Sequence, residues 1–383
     1  MSTKHSKAAA EFLKNKKQAA WHDETLWLVR AKRDRLSKEV PEWEELRNMA
    51  CATKLYSNSH LDELLVEFEN NARANGAHVY WAKDADEYCN IVYNILNQHG
   101  VKHFIKSKSM LAEECELNPF LESKGIEVVE SDLGERILQL MHLKPSHIVL
   151  PAIHIKREQV GELFEREMGT EKGNFDPTYL THAARKNLRQ KFIHAEAAMT
   201  GANFAVASTG EIVVCTNEGN ADMGTSQPKL QIAAFGMEKI VPDRESLGVF
   251  TRLLARSATG QPITTYTSHY RKPREGGELH IIIVDNGRSK ILADQKHIKT
   301  LNCIRCGACM NTCPVYRRSG GYSYTYFIPG PIGINLGMLK APLHYYDNVS
   351  ACSLCYSCSF VCPAKVDLAE QIYLWRQDLD KLG

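Results

Sequence analysis

The sequence predicts an α/β domain preceded by helices and followed by a smaller, cysteine-bearing helical domain. Three observations predict it. Between about residues 60 and 300, short apolar runs alternate with amphipathic stretches, the pattern of strands wound through helices. Before that stretch, apolar residues recur at helical spacing. After it, eight of the 12 cysteines crowd into the C-terminal end.

Residues 1–60 read as helix. Leu28, Ala31, Leu36, Val40 and Trp43 recur at helical spacing, with a break at Pro41. The opening MSTKHSKAAAEFLKNKKQAAW lacks the apolar centre of a secretory signal, and its lysines read as a solvated helix face. Residues 61–295 form the α/β domain. Strands are expected at HVYWA (78–82), HFIKS (103–107), IEVVES (126–131) and HIVLPA (147–152). Helices are expected at 61–76, 85–100 and 157–169, each closing on a glycine suited to a C-terminal cap. FAVASTGEIVVCTNEGN (204–220) predicts a hairpin turning at Ser208–Gly210, and ELHIIIVDNGR (278–288) a strand ending at an Asn-Gly turn.

Residues 296–383 form the last domain, and one internal repeat defines it. Cys303-x2-Cys306-x2-Cys309-x3-Cys313-Pro314 returns as Cys352-x2-Cys355-x2-Cys358-x3-Cys362-Pro363. A tight C-x2-C-x2-C loop brings three thiolates around one [4Fe–4S] cubane, and the fourth cysteine, with its proline, is carried to the neighbouring one. Cys303, Cys306, Cys309 and Cys362 are thus expected to hold one cluster, and Cys352, Cys355, Cys358 and Cys313 the other. Zinc knuckles share the paired C-x2-C but not this repeated third and fourth position. Gly307, Ala308 and Ser357 leave room for close backbone approach. Arg305, Arg317, Arg318 and Lys365 either raise reduction potentials or serve solubility. The insert RRSGGYSYTYFIPGPIGINLG is long for a small two-cluster ferredoxin and favours the helical ferredoxin type, with Tyr322, Tyr324, Tyr326 and Phe327 shielding a cluster from water.

Composition narrows the function. A net charge of +2 over 383 residues gives no electrostatic reason for a nucleic-acid partner. No stretch approaches the ~18 apolar residues of a membrane span, so membrane association would come through a partner. Twelve cysteines without a signal sequence argue for metal or redox chemistry in a reducing, cytoplasmic compartment rather than a disulfide framework. No G-x-G-x-x-G, Walker A or H-E-x-x-H motif is present to bind a nicotinamide, flavin, nucleotide or single metal ion.

TGANFAVASTGEIVVCTNEGN, with IAAFGMEKIVPD (232–243), resembles the LUD domain of lactate-utilisation proteins. Together with ELHIIIVDNGRS and LNCIRCGACMNTCPVYRRSGGYSYTYFIPGPIG, the chain is similar over about residues 60–370 to iron–sulfur subunits of the three-protein L-lactate oxidation system. The resemblance implies a NagB/RpiA/CoA-transferase-like α/β fold. It also implies work beside a cysteine-rich CCG-domain subunit and a second LUD protein, oxidising L-lactate to pyruvate for an unidentified electron acceptor. Relatives often carry Ala-Glu-Thr-Gly where this chain has Ala207-Ser208-Thr209-Gly210, and they tend to continue beyond the position of Gly383, where a partner-docking segment is expected.

In such a fold, loops at strand ends bind ligands. Ser208, Thr209, Gly210, Asn217, Glu218 and Asn220 are therefore a candidate pocket edge, or turn residues chosen for their backbone conformation. His154 and His194 are candidate acid/base groups, or structural histidines. Two functions follow. The leading one is an electron-transfer subunit relaying electrons through two [4Fe–4S] clusters. The competing one is a LUD-domain enzyme acting on an organic acid or sugar phosphate, with structural or sensing clusters. A redox-sensing interaction protein has the least support.

Overall fold

A computed structural model describes residues 4–382. Residues 1–3 of the expected N-terminal helical region, and Gly383, lie outside them. Three helices open the chain: α1 (Lys4–Lys14), α2 (Lys16–Lys38) and α3 (Trp43–Ser59). The break between α2 and α3 contains Pro41, which lacks an N–H and turns the preceding residue away from helical angles.

The α/β region follows as α4 (Leu61–Ala74), β1 (His78–Ala82), α5 (Ala85–Gln98), β2 (His103–Lys106), α6 (Met110–Glu114), α7 (Leu117–Ser123) and β3 (Glu127–Glu130). It continues through α8 (Leu133–Met141), α9 (Arg157–Met168), α10 (Pro177–Ile193) and β4 (Ala197–Gly201). The hairpin β5 (Phe204–Val206) and β6 (Glu211–Thr216) leads to α11 (Asn220–Ser226), β7 (Leu230–Gly236) and β8 (Ile240–Val241). Last come α12 (Arg244–Thr259), β9 (Tyr266–Tyr270), β10 (Glu278–Val284) and α13 (Arg288–Leu292).

Six strands make a parallel sheet in the order β1-β10-β7-β4-β2-β3. Period-two alternation sends Ile282 of β10 to one face, with Tyr88, Val92 and Leu96 of α5, and Ile281 and Ile283 to the other, with Leu65 and Phe68 of α4. The hairpin belongs to a second sheet, β8-β5-β6-β9, packed against that latter face. At the end of β10, Asn286 (φ 43°) and Gly287 (φ 92°) take left-handed angles, and the turn there opens α13 rather than a hairpin.

One expected strand is absent. HIVLPA (147–152) is an irregular strap. The buried His147 ring explains it: Nδ1 accepts the N–H groups of Val149 and Leu150, each at 3.0 Å, so these do not need a strand ladder. Conversely, β4 and β7 lie at the centre of the parallel sheet and escaped the strand pattern. Their sequences, AAMTG and LQIAAFG, are buried on both sides and hold few β-branched residues.

The C-terminal region comprises α14 (Ala308–Thr312), α15 (Pro314–Ser319), α16 (Gly330–Lys340), α17 (Pro342–Tyr345), α18 (Ser357–Val361) and α19 (Leu368–Leu382), with no strand among the described residues. The N-terminal helices pack on it. The lysines of α1 are exposed, as expected of a solvated face, but His5 is buried edge-on to Tyr324 and Phe12 covers Gly320. Leu26 of α2 belongs to the core of the C-terminal region. No described helix is long and apolar enough to cross a membrane.

Candidate metal centre and adjoining cavity

The two cysteine motifs repeat in conformation as well as in sequence. Arg305 (φ 61°) and Gly307 (φ 75°) are left-handed in the first loop, and Leu354 (φ 53°) and Tyr356 (φ 59°) stand at the equivalent positions of the second. A left-handed residue other than glycine costs of order 1–3 kcal/mol, so its recurrence marks a shape imposed by what the loop holds. That shape turns N–H groups toward sulfur. Arg305 donates to Cys303 Sγ at 3.4 Å and Leu354 to Cys352 Sγ at 3.3 Å. The fourth cysteines are also met by backbone: Tyr316 N–H lies 3.5 Å from Cys313 Sγ, and Val366 N–H 3.4 Å from Cys362 Sγ. At Gly307 a Cβ would sit 3.0 Å from His147 Cε1, a tight approach added to the left-handed backbone.

The eight thiols fall into two electrostatic groups that cross between the motifs. Burial pushes Cys306 up to about 12, with Cys362 and then Cys303 adding to it. Burial also raises Cys309 well above a normal thiol, with Cys303, Cys306, Cys358 and Cys362 all contributing. In the second group, burial raises Cys358, with Cys313, Cys352 and Cys355 adding. All are free cysteines, none of them paired as a disulfide. Cys303, Cys306, Cys309 and Cys362 line one small cavity, and buried thiols that resist ionising together lack only a polycation to become ligands. The donor set fits an iron–sulfur cubane. Because Cys309 also feels Cys358, the two groups adjoin.

Cations from the N-terminal helices hold the ends of these loops. Arg33 of α2 donates to Val361 O at 3.0 Å, and Arg47 of α3 to Phe360 O at 2.8 Å and Cys362 O at 3.1 Å. These carbonyls close α18, where positive charge complements the helix dipole. Of the four cations flagged by sequence, Arg317 and Arg318 pair with Asp23 of α2 at 2.6 and 2.7 Å, and Lys365 pairs with Glu44 of α3 at 2.6 Å. Only Arg305 turns inward, with Glu238 at 3.6 Å. Tyr324 and Tyr326 are buried in the C-terminal core and Phe327 packs against it. Tyr322 is exposed.

Beside the first motif lies a cavity of about 760 Å³. Its floor is formed by the C-terminal ends of the parallel strands, where ligands bind in open α/β sheets. Ser107 and Lys108 follow β2, Asp132 follows β3, Gly201 ends β4, Glu238 and Lys239 follow β7, and Arg288 follows β10. The strap around Ile148–Ile153 forms one wall, while Arg305, Cys306 and Ile328 of the C-terminal region form another.

Charge divides this cavity. At one end, burial and the neighbouring Glu135 and Glu218 carboxylates push Asp132 up to about 8. Lys108 pairs there with Glu135 at 2.8 Å. At the other end, burial is outweighed by Arg288 and Arg305, which hold Glu238 down to about 2. Arg288 is also bound by Glu114 at 3.0 Å. Burial lowers Lys239 to about 8.

The predicted pocket residues separate. Asn217, Glu218 and Asn220 line the cavity. Ser208, Thr209 and Gly210 sit at the hairpin turn against α4, where Asn71 donates to Ala207 O at 2.9 Å and Asn75 to Thr209 O at 2.8 Å. His154 is held between Ser146 and Tyr322, with burial lowering it to about 4, and His194 bonds the Gln190 carbonyl at the end of α10. Neither lines the cavity. Lys108, Asp132, Glu238, Lys239 and Arg288 escaped the sequence reading. A signal was present: each closely follows an apolar run, in HFIKSK, EVVESD, IAAFGMEK and IIIVDNGR.

Comparison with known proteins agrees with this architecture. A LUD domain family model matches residues 65–291, and a 4Fe-4S dicluster domain matches residues 299–366. Lactate utilization protein B of Geobacillus thermodenitrificans is 44% identical over 348 residues, covering 89% of this chain and 73% of that protein. The Bacillus pumilus protein of the same name is also 44% identical, with the same coverage. The electron transport protein YkgF of Escherichia coli K12 is 41% identical over 93% of this chain and 76% of its own length. A DUF162 family structure from Deinococcus radiodurans aligns at 15% identity and TM-score 0.34, over 58% of this chain and 98% of that one, a likeness too slight to carry an argument. By these matches the chain belongs to the lactate utilization protein B family, a LUD domain followed by a 4Fe-4S dicluster domain.

Proposed function

We propose that the chain is the iron–sulfur electron-transfer subunit of a system that oxidises L-lactate to pyruvate. Cys303, Cys306, Cys309 and Cys362 hold one [4Fe–4S] cluster in this reading, and Cys352, Cys355, Cys358 and Cys313 the other. The observation that carries it is the lining of one small cavity by Cys303, Cys306 and Cys309 of the first motif together with Cys362 of the second. Bound clusters supply one-electron transfer, which converts a two-electron donor into single steps.

The chain's own residues hold and insulate that function. Backbone N–H groups of Arg305 and Leu354 donate to ligand sulfur, a contact that tunes potential. Cys306, Cys309, Cys313, Cys358 and Cys362 are buried, whereas Cys355 is exposed, which supports an external acceptor approaching the second cluster from the Cys355 side. We further read the C-terminal region as the helical ferredoxin type and the sheet domain as NagB/RpiA/CoA-transferase-like. The partners are a CCG-domain subunit, a second LUD protein and an acceptor, in the cytoplasm.

Anaerobically prepared protein should contain about eight iron atoms per chain. Cys362→Ser, although in the second motif, should remove the same electron paramagnetic resonance signal as Cys306→Ser and leave the signal lost in Cys355→Ser. If the variants instead group by motif, the crossed assignment is wrong.

A further inference from the structure

We propose that His78, Glu278 and His280 bind a divalent transition-metal ion, of the zinc class, at the outer edge of the parallel sheet. The site stands apart from the cysteines and from the cavity. It lies where β1 and β10 begin, whereas the cavity lies beyond the strands' C-terminal ends. From His280 to Val284, the last residue of β10, is about 13 Å of extended chain.

Paired backbone brings the three side chains together. β1 is the edge strand and runs parallel to β10, with His78 directly opposite His280. Glu278 precedes His280 by two residues, so strand alternation puts both on one face. The ligand atoms of the three all lie within 4.8 Å of one another. His280 Nε2 stands 2.9 Å from Glu278 Oε2, close to the ~3.3 Å that two ligands of one tetrahedral zinc ion keep. His78 stacks on His280, with ring centroids 4.8 Å apart, and is exposed, so its ring can turn toward an ion without disturbing the core.

The surroundings suit a cation. His280 Nδ1 meets Tyr80 Oη at 3.1 Å, the outer contact that a ligating imidazole makes through its second nitrogen. The other carboxylate oxygen, Oε1, lies 3.2 Å from His99 Nε2, whose Nδ1 donates to Ile95 O at 2.8 Å. Glu278 pairs only with these imidazoles among the described residues, and with no lysine or arginine. Arg73, the cation that faces Tyr80, is held by Glu69 at 2.7 Å and by the Val79 carbonyl at 2.7 Å. No fixed positive charge therefore occupies the place an ion would take. Two imidazoles with one carboxylate select zinc and its neighbours over calcium or magnesium, which take oxygen ligands. Three protein ligands leave a fourth position for water on the exposed side of His78. An ion held there pins the edge strand to its neighbour through side chains as well as backbone.

The test uses the full chain with its iron in place, prepared anaerobically and titrated with zinc chloride against a competing chelator. Zinc and iron contents are then read by elemental analysis. One zinc per chain should bind without loss of iron, and the melting temperature should rise, because the ion binds only the folded form. His78→Ala, at an exposed position, should weaken zinc binding by about tenfold or more, a loss that even an outer contact can cause. It should also remove the zinc-dependent rise in melting temperature while leaving the iron content and the zinc-free melting temperature unchanged. Glu278→Gln should do the same, and calcium chloride should not compete. The inference is overturned if the iron-loaded chain takes up no zinc at micromolar concentration, if zinc enters only as iron leaves, or if both variants bind it as tightly as the unaltered chain. None of these outcomes touches the electron-transfer reading, which rests on the cysteines.

Discussion

His147 shows how one side chain fixes a segment. Its ring is buried, accepts two N–H groups with Nδ1, and presents Nε2 2.9 Å from Asn311 Oδ1 in the first cysteine motif. The ring is therefore neutral, and burial holds its pKa at about 3 against an ordinary 6.5. An unfolded chain takes up that proton first, so the stabilising contribution is complete above about pH 6.5 and declines as pH falls toward 3. The slope approaches about 1.4 kcal/mol per pH unit. His147→Gln should be less stable at pH 7 yet show a shallower acid-unfolding curve between pH 6 and 4, followed by intrinsic fluorescence. Gly307→Ala, by contrast, should fold its sheet domain normally and lose the iron of the first cluster, read as an iron content falling by about half.

At the scale of elements, the hairpin and the N-terminal helices each act through a contact invisible along the chain. The β5–β6 turn is pressed onto α4, and a Cβ on Gly210 (φ 67°) would lie 2.3 Å from the Ala72 nitrogen. Gly210→Ala should cost at least about 2 kcal/mol, visible as a lowered melting temperature, because backbone on both sides would have to shift. The buried pair Lys106–Glu130, 2.7 Å apart, ties the ends of β2 and β3. Glu130→Ala leaves an ammonium stranded and should cost about 3–5 kcal/mol. Arg47 of α3 acts instead on the cysteine region, through the carbonyls of Phe360 and Cys362. Arg47→Ala should speed iron release to a chelator, while Lys7→Ala, on the exposed face of α1, should not.

Across the whole molecule, the two thiol groups form a line from the cavity to the surface. The first is walled by the cavity and by α2 and α3, and the second includes Cys355, the one exposed cysteine of the eight. Exposure to oxygen or chelator should therefore destroy the second cluster before the first, seen as sequential loss of two distinct resonance signals. Salt bridges from Asp23 and Glu44 to Arg317, Arg318 and Lys365 bind the first helices to the last region, and Leu26 of α2 is buried in the core of that region.

The cysteine repeat, the hairpin and most outer helices and strands were legible because each rests on local spacing: ligand geometry, turn chemistry or a period of two or 3.6 residues. The sequence offered Asn217, Glu218 and Asn220 as a candidate pocket edge or as turn residues, and in the structure these three lie along the cavity. It could not show that Ser208–Gly210 serve packing against α4, that HIVLPA is a strap, or that β4 and β7 are central strands. Those depend on partners from elsewhere in the chain. That the cavity's cations meet could not be read for the same reason, although Arg305 stands out beside its motif. Lys239, Arg288 and Arg305 come from three separate segments: the parallel sheet gathers Lys239 and Arg288 at its strand ends, and there they meet Arg305 of the first cysteine loop.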